Sequence, residues 1–241
     1  VKVMSDSEGV DLIINCAAYT NVEKAEDDMY MADLLNHRVP EILAEVSLAR
    51  NATLIHISTD YVFDGVGRSL PYREVDTPQP CNVYGATKLA GEDAVIRLGC
   101  KYIIIRTSWL YSPYGKNFVS TILQRLRSGK DLRVVYDSVG TPTFAADLAG
   151  VIMEIIRSAQ LDKCGLYNYS NEGVASWYDF AQAVREISGS SVRIWPVLSD
   201  EYPTKAHRPA YSVLDKSLFK KTFGIEIPYW IDSLRKCMSE L

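Results

Sequence analysis

The sequence predicts an α/β fold built on a doubly wound parallel sheet. Three runs carry that expectation: Val10-Asp11-Leu12-Ile13-Ile14-Asn15-Cys16-Ala17, Ala52-Thr53-Leu54-Ile55-His56-Ile57-Ser58 and Tyr102-Ile103-Ile104-Ile105-Arg106. Each is short and nearly continuous in apolar residues, the pattern of a strand covered on both faces. Helical stretches alternate with them, the order that builds parallel sheets.

The elements follow in chain order. Residues 1–8 are helix-like and lead into the strand at 10–17. After Ala18-Tyr19-Thr20-Asn21 comes an acidic stretch, Glu23 to Asp28, that reads as a solvated helix start. A helix is expected from about Met29 to Arg50, ahead of the strand at 52–58. Residues 60–82 carry Gly65, Gly67, Pro71, Pro78 and Pro80, hence a long loop with turns; its aromatic residues favour an ordered one. Asn82 supplies an N-cap for the next helix, and Gly99 suits the left-handed position just past its end. From about residue 112 the elements become mixed: a helix at 116–128, a strand Leu132–Val135, a turn at Gly140-Thr141-Pro142-Thr143, and a helix near 145–158. A strand at 165–169, a helix Trp177–Ile187 capped by Ser176, a strand Val192–Trp195, a loop around 196–211 and a C-terminal helix complete the chain.

Composition narrows the function. A chain of 241 residues with 47% hydrophobic and 23% charged residues fits an ordinary globular protein with a large core. The net charge of −4 argues against a nucleic-acid role driven by basic patches. No apolar run approaches the roughly 18 residues of a membrane span, and no signal peptide opens the chain. Cys16, Cys81, Cys100, Cys164 and Cys237 are odd in number and lack CxxC spacing, so they read as reduced thiols in a cytoplasmic protein. His37, His56 and His207 form no ligand motif, and no metal site is expected. The first residue is Val1 rather than Met, and a βαβ unit needs about 30 residues; a natural N-terminal segment of that order is expected to precede the chain.

The chemistry concentrates at two places. Tyr84 and Lys88 stand four apart on one helix face, and an ammonium beside a phenol lowers its pKa toward a usable range. Alone, that spacing also suits an exposed helix face. Ser58-Thr59-Asp60 closes a buried strand, and open α/β sheets bind ligands outside that end.

Five segments in order, Thr59-Asp60-Tyr61-Val62-Phe63-Asp64-Gly65, Tyr84-Gly85-Ala86-Thr87-Lys88, Arg106-Thr107-Ser108-Trp109-Leu110-Tyr111, Gly140-Thr141-Pro142-Thr143 and Arg208-Pro209-Ala210-Tyr211-Ser212, resemble the dTDP-4-dehydrorhamnose reductases, a family of extended short-chain dehydrogenases/reductases. The resemblance covers essentially the whole chain. It implies a Rossmann-like sheet with a smaller mixed α/β lobe that binds substrate. Residues 1–128 would be the remainder of the dinucleotide-binding domain, and 129–241 would complete the sheet and form the nucleotide-sugar lobe. The implied reaction is reduction of the C4 keto group of dTDP-4-dehydro-L-rhamnose by NADPH or NADH, in cell-surface polysaccharide biosynthesis.

By the same resemblance Tyr84 donates the proton, Lys88 lowers its pKa and binds the nicotinamide ribose, and Thr59 holds the substrate oxygen. Asp60 and Trp109 contact the dTDP-sugar, although a Trp after a buried strand also fits plain core. Ala18-Tyr19-Thr20 lies along the cofactor. Arg208 shares a basic loop with Lys205 and His207 that is either solvated or closes on the substrate diphosphate, since a guanidinium grips phosphate oxygens bidentately. Some members of the family carry a divalent cation at a dimer contact, so Mg2+ and a homodimer stay open. The family also opens with a strand and glycine-rich turn that hold the pyrophosphate; no GxxGxxG occurs in this sequence, which implies an N-terminally truncated domain.

Two other readings share these motifs. Nucleotide-sugar epimerases and dehydratases have the same Tyr-x-x-x-Lys pair, but the dehydratases place Asp-Glu after the hydroxyl residue, whereas Tyr61 follows Thr59-Asp60 here. The regulatory subunit of methionine adenosyltransferase resembles the same family without serving chiefly as an enzyme.

Overall fold

The structure is a computed structural model that describes residues 9–241; the helix-like residues expected at 1–8 lie outside them. Its main sheet contains β1 (Leu12–Asn15), β2 (Thr53–Thr59), β3 (Lys101–Thr107) and, from far along the chain, Gly165–Asn168, in the order β1-β2-β3 and then that strand. All three pairings are parallel, with Ile55 opposite Ile14 and Ile103. Every residue of β2 except the half-buried Ile57 is buried, as the continuous apolar run requires.

One face of the sheet is covered by the first helices. After the short α1 (Val22–Ala25), α2 (Met29–Asp33) runs through a π-helical stretch at Leu34–Arg38 into α3 (Val39–Arg50), so the single expected helix is real but locally underwound. The fourth helix, α4 (Val83–Leu98), has both predicted ends: the Asn82 side chain accepts from Gly85 N at 2.7 Å, and Gly99 takes φ +67°. Leu43, Ala44 and Val95 from these helices pack on Ile13, Leu54 and Ile104.

The chain then enters a second lobe. Here β4 (Leu110–Tyr111), α5 (Phe118–Arg127), β5 (Leu132–Val135), β6 (Val139–Gly140) and β7 (Thr143–Phe144) follow one another. It returns through α6 (Ala145–Arg157) to β8 (Gly165–Asn168), the fourth strand of the main sheet. Next come β9 (Ala175–Ser176), α7 (Trp177–Ile187), β10 (Ile194–Val197), α8 (Ser217–Phe223) and α9 (Trp230–Ser239). Leu148, Val151, Ile152 and Ile155 of α6, with Phe219 and Phe223 of α8, cover the other face of the sheet against Ile55, Ile103 and Ile105. Helices on both faces make the sheet doubly wound. A separate core in the second lobe joins Ile122 and Leu126 of α5 to Phe180 and Val184 of α7 and to Trp230 and Leu234 of α9.

Three expectations need correction. The Gly140–Thr143 segment is more than a turn: β6 pairs antiparallel with β9, and β7 pairs parallel with β4. Two-residue strands are set by their partners, which lie too far away in sequence to leave a local pattern. The strand near 192 begins at Ile194 and pairs with β5. The C-terminal helix is two, divided after Phe223 by Gly224 at φ +69°. The helix α5 packs into the second lobe's core. The 60–82 loop is ordered as expected: Phe63 stacks on Tyr72 at 4.0 Å, beside Val62 and Leu214.

Close backbone approach fixes the height of α4. A Cβ on Gly91 would overlap the Asn36 carbonyl oxygen in the π-helical stretch, and one on Gly85 would overlap the Tyr61 carbonyl oxygen. Backbone cannot yield as a flexible side chain does. Gly91→Ala is therefore expected to cost about 3 kcal/mol by overpacking. Gly150→Ala, in α6 with open space around it, should instead gain about 0.5–1 kcal/mol of helix propensity. Urea denaturation of the two variants checks both signs.

Candidate active site

Tyr84, Lys88 and Glu92 repeat every four residues along α4, so they form one stripe facing the C-terminal ends of β2 and β3. Glu92 and Arg106 are both buried and joined by three hydrogen bonds, Nε to Oε1 at 3.0 Å, Nε to Oε2 at 3.2 Å and Nη2 to Oε2 at 2.6 Å. Ser58 Oγ also donates to Glu92. One turn earlier, the buried Lys88 donates from Nζ to the Ile57 carbonyl oxygen at 2.6 Å. Another turn brings Tyr84 close enough to Thr59 for the threonine hydroxyl to act on the phenol; that hydroxyl donates to Asp60 Oδ1 at 3.2 Å and accepts from Tyr61 N at 3.2 Å. The structure thus brings together Thr59, Asp60, Tyr84 and Lys88 at the strand ends.

The electrostatics differ from the expectation drawn from spacing. Burial pushes the Tyr84 phenol up to about 12, with the Asp60 carboxylate adding to the rise and the Thr59 hydroxyl opposing it. The Lys88 ammonium, one turn away, donates to the Ile57 carbonyl oxygen, and burial outweighs its charge. Burial also pulls Lys88 itself down to about 8, while Glu92 holds it up. At neutral pH the site therefore holds a protonated phenol beside a largely charged ammonium. Asp60 is buried, and its carboxyl is pushed up to about 7 by desolvation despite hydrogen bonds from Ser212 and Thr59. Its Oδ2 has no partner among the described residues.

The segment after β1 is held from the π-helical stretch, which is itself tied to α4. Asn36, fully buried, accepts from Tyr19 N at 2.8 Å and donates to Tyr19 O at 3.2 Å and Thr87 Oγ1 at 3.1 Å. Ala18, Tyr19 and Thr20 thereby lie at the strand end next to α4. Lys88 supports a cofactor at this place. Its ammonium has three N–H donors and makes one hydrogen bond to the described residues, with no carboxylate in ion-pair reach. Buried donors demand acceptors, and the hydroxyls of a ribose are acceptors of the right kind.

The remaining predicted residues lie on the second lobe's side. Trp109 takes φ +47°, stacks on Trp177 with ring centroids 3.6 Å apart, and closes over Gly140, where a Cβ would come within 2.7 Å of its ring. Trp177 and Phe118 then line a cleft of about 670 Å³ with Arg125, Arg133, Lys205 and Arg208. That cleft stops short of Tyr84. Arg208 links the two places, because its charge acts on the Tyr61 hydroxyl and the Tyr61 ring meets Tyr84 edge-on at 5.8 Å. The basic loop is not simply solvated, nor is the acidic stretch at 23–28: Arg208 pairs with Glu23 at 2.7 Å and Lys205 pairs with Asp27. Sequence reasoning missed Glu92, Arg106, Asn36 and Ser212. For the first two a signal existed, since Glu92 extends the 84/88 spacing and Arg106 ends an otherwise apolar strand.

Asp60 gives the site a pH signature. Its folded-state pKa lies above the unfolded value, so between about pH 4 and 7 the native state holds a proton that the unfolded chain has released. Stability contributed here is present at low pH and is lost as pH rises toward 7. Asp60→Asn should remove that decline, and the gap between variant and parent in denaturation free energy should widen from about pH 5 to about pH 8. Parallel profiles would contradict the assignment.

Comparison with known proteins identifies the family. The family model for the RmlD substrate binding domain matches residues 1–241. A dTDP-4-dehydrorhamnose reductase of Sinorhizobium fredii is 42% identical over 234 residues, covering 94% of this chain and 79% of that protein. The spore coat polysaccharide biosynthesis protein SpsK of Bacillus subtilis is 41% identical, covering 95% and 79%. A crystal structure of the Bacillus anthracis dTDP-4-dehydrorhamnose reductase in complex with NADP superposes with a TM-score of 0.91 at 38% identity, covering 96% of this chain and 81% of that one. With a family model across its length and relatives this similar, the chain belongs to the dTDP-4-dehydrorhamnose reductase family.

Proposed function

We propose that this protein reduces the C4 keto group of dTDP-4-dehydro-L-rhamnose to dTDP-L-rhamnose at the expense of NADPH or NADH. The observation that carries the reading is the cluster of Thr59, Tyr84 and Lys88 at the strand ends, with the threonine hydroxyl close enough to the phenol to act on its pKa. The reduced nicotinamide supplies the hydride when it is bound. Lys88 holds its ribose through the N–H groups left over from Ile57, and Tyr19 and Thr20 lie along it.

The chain's own groups handle the proton. Thr59 holds the ketone oxygen beside the Tyr84 hydroxyl. As hydride reaches C4 and negative charge builds on that oxygen, Tyr84 gives its proton to it. A phenol pushed up to about 12 keeps that proton until the charge develops. The charged Lys88 one turn away stabilises the phenolate left behind. Asp60 and Trp109 contact the sugar, and Asp60 Oδ2 offers a buried acceptor for a sugar hydroxyl. In the cleft of the second lobe, Trp177 and Phe118 provide a stacking wall for a base, and the cations provide for a diphosphate. The unpaired thiols of all five cysteines accord with the cytoplasm as its compartment.

A reductase consumes its cofactor stoichiometrically, whereas an epimerase or dehydratase recycles it within a turnover. Following absorbance of the reduced cofactor in a coupled assay with the dTDP-4-keto sugar therefore tests the reaction class. In the full-length protein Tyr84→Phe should lower turnover by about 10²–10⁴, the scale of a general acid. Near-normal turnover in that variant would end the proposal.

A further inference from the structure

The chain leaves β10 through a single 3-10 turn at Ser199–Glu201 and then crosses from the second lobe back to the first. Residues 202–208 form one wall of the cleft as they cross. This strap has little apolar anchorage: Ala206 is its buried residue, and Tyr202, Pro203, Thr204, Lys205 and His207 are exposed. Its attachment is polar and converges on one carboxylate. Glu23 of α1 accepts from Lys205 N at 2.9 Å, from Ala206 N at 3.4 Å and from Arg208 Nη2 at 2.7 Å. Lys205 pairs with Asp27 further along, and Asn82 Nδ2 donates to the His207 carbonyl oxygen at 2.8 Å.

Arg208 shows what this attachment does. A guanidinium is planar, and its N–H groups point in fixed directions. Glu23 takes one, and the Tyr61 hydroxyl lies close enough to act on the same guanidinium, so its plane is held from that side. The Nε–H is then a buried donor without a partner among the described residues, on a side chain that lines the cleft. We propose that Glu23 is a positioning residue: it latches the 202–208 strap to the first lobe and orients Arg208 so that Nε–H meets an oxygen of the nucleotide sugar. This rests on the substrate reading above and assigns Glu23 no contact with substrate.

The latch and a simple charge role predict opposite results. If Arg208 acted only by its charge, removing the neighbouring Glu23 would leave more net positive charge and tighten anion binding. If Glu23 positions it, the same change loosens the strap and weakens binding. Calorimetric titration with dTDP of the full-length parent and the Glu23→Ala variant separates them, with amide hydrogen exchange across 199–211 as the second measurement. The variant should bind dTDP about tenfold more weakly, the scale of one charge-assisted hydrogen bond. Amides of 202–208 should exchange faster. KM for the dTDP-4-keto sugar should rise in proportion while kcat at saturation stays near the parent's. The melting temperature should hardly move, because Glu23 is half-exposed on a surface helix. Equal or tighter dTDP binding, or unchanged exchange in the strap, overturns the latch. A parent protein that does not bind dTDP refutes the substrate reading instead, and the exchange comparison alone then decides whether Glu23 holds the strap.

Discussion

The closeness of α4 to the sheet is the constraint from which the site follows. Gly85 and Gly91 let the helix backbone rest against the carbonyls of Tyr61 and Asn36. At that height the stripe Tyr84, Lys88, Glu92 reaches the ends of β2 and β3 without spare length. Glu92 meets Arg106 and Ser58, Lys88 meets the carbonyl of Ile57, and Tyr84 meets Thr59. A buried ion pair is a weak source of net stability, because desolvation offsets much of its attraction. Its geometry is demanding, however, and that demand fixes the rotation of the helix. A helix turned or lifted by a fraction of a turn would leave Glu92 and Arg106 buried and unpaired, which is strongly unfavourable. The same depth explains the charge states: burial raises the phenol and lowers the ammonium, so the pair waits as neutral acid and nearby cation.

Much of the fold was legible because it is written locally. The strands of the main sheet are continuous apolar runs, and α4 is bounded by residues whose chemistry fits its two ends, Asn82 and Gly99. Ser176 and the helix after it were readable for the same reason, the side chain accepting from Asp179 N while Asp179 answers in return. Tyr84, Lys88, Thr59 and Asp60 were legible through spacing and strand-end position. What escaped is non-local. The stack of Trp109 on Trp177, the pairing of β4 with β7, and the bond from Arg208 to Glu23 join residues far apart in sequence. No window of the sequence contains both partners. The direction of the Tyr84 shift escaped for a different reason: spacing reveals the neighbour but not the depth, and here depth outweighs the neighbour.

The two lobes divide the work by chemistry. The sheet end provides buried, geometrically fixed donors and acceptors, while the second lobe provides aromatic faces and cations around a wider cleft. Trp109 is held on the boundary in a left-handed conformation that an ordinary residue adopts at a cost of order 1–3 kcal/mol. Its contact with Trp177 and with the bare α-carbon of Gly140 offsets that strain.

The route of the chain has a consequence for how the molecule is made. β8 lies beside β3, yet the segment that builds much of the second lobe runs between them. The last strand of the sheet can be added only after that excursion has closed, and α8 must then come back to cover it. The segments of the two lobes therefore alternate along the chain. Assembly of the catalytic end and of the ligand cleft is thereby one cooperative event, with the slow, long-range loop closure that such a topology brings.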